Sequence, residues 1–341
     1  MHDGAEEIWI AGACMTDRRA FMTVLGGAAL LGMAGRASAQ KAKPVTIAYL
    51  ALLRGEDRMS FMHEFVKRLG ELGYVDGQNL KFVYRSAEGQ AELLPGLASE
   101  LVQMKPDVLV AGFGTVAAKA GKAAANSIPV VFTAVGDPVG AGVVSSLARP
   151  GGNVTGLSDL AAGLQGSRLQ LLRDVVPAAV QIAVIMNPGT PYGALAYKEL
   201  EQAAKPAGIA LKVFELRKPE DIAPQLDAAK EADGIAVFED PLTLGYRNEI
   251  VEQIAQLRRP AVYGYREFAE AGGLMSYGTD HGAQWKRAAE LVDLIVKGAK
   301  PSDIPVEQAS RFELVVNLKA AKALGITLPP TVMVRADYVI E

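Results

Sequence analysis

The chain has 341 residues, half of them hydrophobic, with 35 Lys and Arg against 38 Asp and Glu and a single cysteine. That length can bury a core for one large or two medium domains. The near balance of charge argues against a nucleic-acid or anionic-membrane surface, both of which need clustered cations, and one thiol cannot make an internal disulfide.

Residues before Met15 are acidic and without pattern, which makes Met15 the expected start. Asp17-Arg18-Arg19-Ala20-Phe21-Met22, the apolar run from Phe21 to Gly35 and Ala37-Ser38-Ala39 before Gln40 then read as a secretory leader. Paired arginines supply the charged segment, the run is too short to span a membrane, and small side chains at Ala37 and Ala39 suit cleavage after Ala39. The Arg-Arg-x-Phe pattern resembles a twin-arginine signal, with Asp17 and Thr23 as imperfect matches. Cys14 is lost with the leader, so the exported chain has no thiol chemistry.

Beyond the leader, short β-branched apolar runs alternate with longer helical segments. The runs are Val45 to Leu50, Leu80 to Tyr84, Val108 to Ala111, Val130 to Thr133, Ile182 to Met186, Leu211 to Phe214, Gly234 to Phe238 and Ala261 to Tyr263. Runs apolar throughout are the mark of parallel strands buried on both faces, with helices as crossovers, so the class is α/β. Helices are predicted at Ser60 to Gly73, Ala91 to Met104, Ala117 to Asn126, Gln165 to Val176, Pro191 to Ala207, Ile222 to Ala232, Asn248 to Arg258 and Gly282 to Lys297.

The two halves repeat each other. Lys81-Phe82-Val83-Tyr84 answers Lys212-Val213-Phe214, and Pro129-Val130-Val131-Phe132 answers Pro260-Ala261-Val262-Tyr263, both offset by 131 residues. An offset shared over strand, helix and strand implies two similar lobes rather than a short-period solenoid. Arg149 to Gly156, rich in turn formers, reads as a crossing between lobes, and Gly272 to Gly278 as a second.

From Pro129 to Asp159 the sequence closely resembles the ABC-transporter substrate-binding family that includes the streptococcal tryptophan-binding protein. Segments from Glu270 to Gly278, Lys297 to Gln308 and Asn317 to Gly325 are similar to that family as well, in the same order. The resemblance implies two Rossmann-like, hinge-linked lobes with parallel sheets, of the periplasmic-binding-protein type I fold, joined by three crossovers. It assigns 44–156 plus 279–308 to the N-terminal lobe and 157–278 plus 309–341 to the C-terminal lobe. It also implies a periplasmic monomer that grips a small-molecule ligand in its cleft and delivers it to a membrane permease, with no cofactor.

In open α/β sheets ligands sit beyond the carboxyl ends of the strands, where following helices present free N–H groups. Gly114 and Thr115 open a helix after one such strand and can receive a carboxylate. Asp137 follows the next strand and can accept from an ammonium. Asn187, Thr190 and Tyr192 follow the first strand of the second half, where Asn187 offers a donor and an acceptor and Tyr192 can stack. Asp240 matches the family's acidic residue at its strand end and can hold a cation, with helix capping as the competing role. Tyr263, Tyr265 and Glu267 follow the last of these runs and Tyr277 lies in the Gly272 to Gly278 segment, a grouping that favours an aromatic or amphipathic ligand over a sugar. Ser158, with Asp159, ranks below Asp137 and Asn187.

Catalysis finds little support. After cleavage only His63 and His281 remain, one in a predicted surface helix and one at a helix start, and no nucleophile-elbow, zinc-protease or paired-cysteine motif occurs. Gly114 to Lys122 fails as a phosphate loop because its glycines are misplaced and Ala123 replaces the required hydroxyl. A sugar-responsive repressor needs a DNA-binding helix-turn-helix where the leader stands. The expected function is therefore capture of a small carboxylate-bearing solute, an aromatic or branched amino acid or related acid. An exported α/β enzyme or a ligand sensor for a membrane receptor remains the alternative.

Overall fold

A computed structural model describes residues 43–159 and 161–341. The predicted leader, its cleavage site and Cys14 lie outside the described residues.

The first half of the described chain alternates β1 (Val45–Ala51), α1 (Gly55–Glu71), β2 (Leu80–Ser86), α2 (Leu94–Gln103), β3 (Val108–Gly112), α3 (Thr115–Ala125), β4 (Val130–Val135) and β5 (Val154–Ser158). The second half runs α4 (Gln165–Val175), β6 (Gln181–Met186), α5 (Pro191–Ala204), β7 (Ala210–Glu215), α6 (Ile222–Ala228), β8 (Gly234–Val237), α7 (Pro241–Gly245), α8 (Arg247–Leu257), β9 (Ala261–Tyr263), α9 (Arg266–Glu270) and β10 (Met275–Thr279). The remainder is α10 (His281–Val296), β11 (Glu307–Gln308), β12 (Phe312–Asn317), α11 (Leu318–Leu324), α12 (Pro330–Met333) and β13 (Tyr338–Ile340).

These strands form two sheets, ordered β11-β5-β4-β3-β1-β2 and β13-β12-β10-β9-β8-β6-β7. Every pairing is parallel except β10 with β12. Alternate residues serve opposite faces. In β1, Ile47, Tyr49 and Ala51 join one apolar cluster while Ala48 and Leu50 join another, and in β6 Ala183 and Ile185 separate in the same way from Ile182, Val184 and Met186. Both faces being apolar explains why these strands read as unbroken hydrophobic runs.

The chain passes between the sheets three times: after β5, between β10 and α10, and between β11 and β12. Two predicted crossings need correction. Most of Arg149 to Gly156 precedes the passage, because Val154–Ser158 pairs with β4 inside the first sheet. Gly272 to Gly278 leads into β10, which pairs with β9 and β12 inside the second sheet, and the passage follows Thr279.

The α10 helix, although late in sequence, packs on α1 and the first sheet. Its anchor is Trp285, whose indole N–H donates to the Tyr49 hydroxyl at 2.7 Å in a fully buried site. Gly112 makes room for that hydroxyl, since a Cβ there would stand 2.3 Å from it. Removing the oxygen leaves a buried donor without a partner, a loss on the order of 1–3 kcal/mol. Tyr49→Phe is thus expected to lower unfolding free energy by that amount in urea titration without changing the slope of the transition.

Candidate functional site

The carboxyl ends of both sheets face each other, and the side chains there meet across the gap. Phe113, just after β3, holds its backbone at φ 69°, a left-handed conformation that is strained for a bulky residue. Its amide donates to Thr133 Oγ1 at 3.0 Å, and its ring lies 5.7 Å from that of Tyr265, which follows β9. At the rim, the Arg54 guanidinium sits 4.5 Å over the Tyr246 ring and donates to its hydroxyl. The Tyr192 ring packs on Gly136, where a Cβ would come within 3.1 Å of Tyr192 Cδ2. The two halves are closed on each other.

On the second sheet's side, a polar network fills the strand ends. Arg168 of α4 donates from Nη1 to Glu239 Oε2 at 2.6 Å, from Nη2 to Glu239 Oε1, and from Nε to the Tyr277 carbonyl at 2.6 Å. Both partners are buried, Arg168 with 1 % of its surface exposed and Glu239 with 5 %. Burial works against the guanidinium charge, but Glu239 more than offsets it and holds Arg168 above its usual pKa. The Tyr192 hydroxyl also donates to Glu239, and Gln165 Nε2 donates to Tyr192 at 3.3 Å.

Asp240, next to Glu239, is differently placed. Its Oδ1 caps α7 by accepting from the Leu242 amide at 2.8 Å and also accepts from Asn187 Nδ2 at 3.0 Å. Its Oδ2 is buried with no hydrogen-bond partner among the described residues. Burial raises the carboxyl above its ordinary pKa, and hydrogen bonds from Asn187, Leu242 and Thr190 only partly oppose it. The Thr190 hydroxyl lies close enough to this carboxylate to favour its charged form, and 3.5 Å from the Asn187 carbonyl. Glu267, in the first turn of α9, likewise has a buried, unpartnered Oε2 and a pKa raised by burial.

Opposite lies α3, whose N-cap is Gly114 at φ 92° with no side-chain cap on the first-turn amides. Thr115 is the first residue of that helix. Its N-terminus therefore presents N–H groups and the positive end of the helix dipole.

Where the chain passes between sheets, His281 Nε2 meets Asp159 Oδ2 at 3.3 Å, both side chains buried. Rings of Phe61, Phe113, Tyr265 and Trp285 surround the imidazole at 5.4–5.9 Å. The Thr279 hydroxyl donates to the Asp159 carbonyl at 3.0 Å, and Gln284 Nε2 to the Ser158 carbonyl at 3.2 Å. Burial disfavours the imidazolium, yet Asp159, assisted by Glu267 and Glu239, leaves His281 with a raised pKa. Burial likewise pushes Asp159 up, and His281 brings it net below its ordinary value.

The structure thus brings Asn187, Thr190, Tyr192 and Asp240 into one group, with Tyr265 in the electrostatic field of Asp159, Glu239 and Asp240. Ser158 is buried, its hydroxyl 3.5 Å from the Gly136 carbonyl. Asp137 is exposed and closes a turn by accepting from the Gly140 amide at 2.8 Å. Tyr263 stacks on Phe268 at 4.7 Å inside the core. Tyr277 contributes its carbonyl to Arg168 while its ring lies 6.4 Å from Phe312. Sequence reasoning missed Arg168, Glu239 as its partner, and His281, which is buried rather than a plain helix start. No group of three or more His, Cys, Asp or Glu suited to a metal ion occurs among the described residues, and no described helix is long and apolar enough to cross a membrane.

Two facing, mostly parallel sheets joined by three passes, with polar groups gathered at their carboxyl ends, define the class: a two-lobed α/β protein of the periplasmic-binding-protein type I fold. Residues 46–340 match the family model described as ABC transporter substrate binding protein, and the chain belongs to that family. Its members bind small molecules and generally work outside the cytoplasm beside a permease. The chain is 29% identical over 264 residues to the tyrosine-binding protein of Clostridioides difficile strain R20291, covering 77% of this chain and 75% of the relative. A conserved domain protein from Vibrio cholerae is 32% identical with a TM-score of 0.81, over 87% of this chain and 100% of the other. The ABC domain in complex with L-Trp from Streptococcus pneumoniae is 27% identical with a TM-score of 0.79, over 86% and 100%. The ligand-free, open structure of an adhesive substrate-binding protein from Clostridium difficile is 25% identical over 87% and 99%, yet its TM-score is only 0.65.

The pair of His281 and Asp159 has a pH signature. A histidine whose folded pKa is raised stabilises the fold fully below its unfolded value of about 6.5 and loses that contribution as pH rises through the folded value. Asp159, lowered in the fold, stabilises above about 3.9 and loses its contribution in acid. Thermal stability of the wild type is expected to fall as pH rises above about 6.5, and His281→Asn to flatten that decline. Equal slopes in both proteins would show that the pair does not titrate in this range.

Proposed function

We propose that this chain is the periplasmic solute-binding component of an ABC uptake transporter. Its ligand is a small molecule bearing an ammonium and a carboxylate, an aromatic or branched amino acid or a close relative. The observation that carries this reading is the buried Asp240 Oδ2, which has no partner among the described residues and sits at a strand end inside the cleft. Such an oxygen is unfavourable unless a donor arrives, and a ligand ammonium supplies both donor and compensating charge. Glu239 cannot take that role, because Arg168 and Tyr192 already occupy its oxygens.

The carboxylate goes to the opposite half, at the first-turn amides of α3 beginning with Thr115; the Gly114 amide, expected from the sequence to join them, instead donates to the Thr133 carbonyl at 3.0 Å. Tyr265 and Phe113 cover the apolar body, with Asn187 and Thr190 fixing orientation. A ligand touching both halves stabilises the closed form by its differential affinity, so recognition and closure are one event. The tyrosine and L-Trp named for two relatives support an aromatic amino acid. The greater likeness to the L-Trp complex than to the open, ligand-free structure supports a closed state as the bound one.

The lobes in this reading are residues 44–158 with 280–308 and residues 159–279 with 309–341. The mature protein begins after Ala39, acts in the periplasm as a monomer, engages a membrane permease rather than nucleic acid, and performs no catalysis.

Asp240→Asn keeps the acceptor that caps α7 while removing the charge. Titration calorimetry with L-tryptophan and L-tyrosine is expected to show an affinity loss of about 10- to 150-fold, the range for a hydrogen bond to a charged group, with little change in melting temperature. Unaltered affinity for a ligand that the wild type binds would remove Asp240 from the site.

A further inference from the structure

Tyr192 belongs to the second half of the molecule, yet its ring rests on Gly136 of the first. The three atoms nearest the place a Gly136 side chain would occupy all belong to Tyr192, with Cδ2 at 3.1 Å and Cβ and Cγ at 3.9 Å. Gly136 is not in the left-handed region, so what a side chain there would disturb is the approach of Tyr192, whose ring would have to give way by a few tenths of an ångström, and not its own backbone. The contact exists only when the halves are together.

What fixes the ring is the polar network behind it. The Tyr192 hydroxyl donates to Glu239, and Glu239 is gripped by both terminal nitrogens of Arg168. Gly264 leaves space for this carboxylate, since a Cβ there would stand 2.0 Å from Glu239 Cδ. The third guanidinium donor, Nε, goes to the Tyr277 carbonyl on β10, two residues before the Thr279 hydroxyl that ties down Asp159 in the passage between sheets. Arg168 therefore connects the strand on which the halves turn to the ring on which they meet.

We propose that Arg168 and Glu239 are positioning residues that hold Tyr192 as the seat onto which Gly136 closes, and that this seat sets the closed population, and hence the affinity, without either ion touching the solute. The proposal deepens the functional reading above and rests on its clamp. Its test needs no solute.

In the full chain with Cys14→Ser, Arg54→Cys and Tyr246→Cys place thiols on either side of the rim, where the native side chains touch. The rate of joining by a short bis-maleimide then reports closure of the unliganded protein. Adding Gly136→Ala is expected to slow joining about fivefold, because a methyl forced into a packed contact is unfavourable only in the closed form. In a Tyr192→Ala background the same substitution is expected to have no effect. Tyr192→Phe, which frees the ring from Glu239 at nearly constant volume, is expected to slow joining when both proteins are compared at a temperature where each is fully folded. This variant remains informative even if Glu239→Gln or Arg168→Lys fails to fold.

Joining that Gly136→Ala leaves unchanged, or slows equally without the Tyr192 ring, would overturn the seat. Joining indifferent to Tyr192→Phe would overturn the positioning role. A wild type that binds no amino acid would instead defeat the functional reading and leave these rates to decide the seat.

Discussion

The ion pair between Arg168 and Glu239 governs the chemistry of the cleft. A guanidinium and a carboxylate this deeply buried persist because each satisfies the other, and removing one partner of such a pair is destabilising by about 3–5 kcal/mol. With two nitrogens on the carboxylate and the third on the Tyr277 carbonyl, Arg168 has its charge matched by an acid of the protein itself. Glu239 in turn is neutralised in place. Of two adjacent carboxylates at one strand end, only Asp240 keeps an oxygen without a partner, and the pair thereby selects which acid faces the solute.

A second constraint lies where the chain passes between sheets. Asp159 accepts from Thr279 through its carbonyl and meets His281 through its carboxylate, while Gln284 holds the Ser158 carbonyl. These bonds draw two of the three passages together, and the Ala309 amide, donating to the Ser158 carbonyl at 2.9 Å, adds the third. Aromatic rings around His281 exclude water from the pair, which strengthens it and makes its protonation state consequential. The joint and the cleft wall communicate through Arg168, whose Nε reaches the strand that leads into the passage.

Much of the architecture was legible in the sequence because buried parallel strands have an unmistakable signature. β1, β6 and β9 are apolar on both faces, and the helices between them begin and end within a few residues of the predicted spans, α10 at His281–Val296 being an example. What escaped were short elements defined by tertiary pairing. β5 contains Gly156 and β10 contains Gly278, and both read as turns until their neighbours supply hydrogen bonds. Asp240 could be placed at a strand end from local sequence, since capping and ligand binding both call for an acid there. The pairing of Arg168 with Glu239 joins residues 71 positions apart, and no local pattern announces which acid a buried arginine neutralises. For the same reason Tyr263 looked like a ligand contact, although its neighbour Phe268 makes it core.

The claim on which the rest hangs is that the two halves are a clamp shut by an ammonium-bearing solute. Small-angle X-ray scattering of the purified chain, stripped of bound molecules and then titrated with L-tryptophan, tests it most directly. A saturable contraction of the radius of gyration, abolished when the amine is acetylated, is the expected result. Scattering unchanged by an amino acid that binds, or contraction with the acetylated and free forms alike, would contradict it.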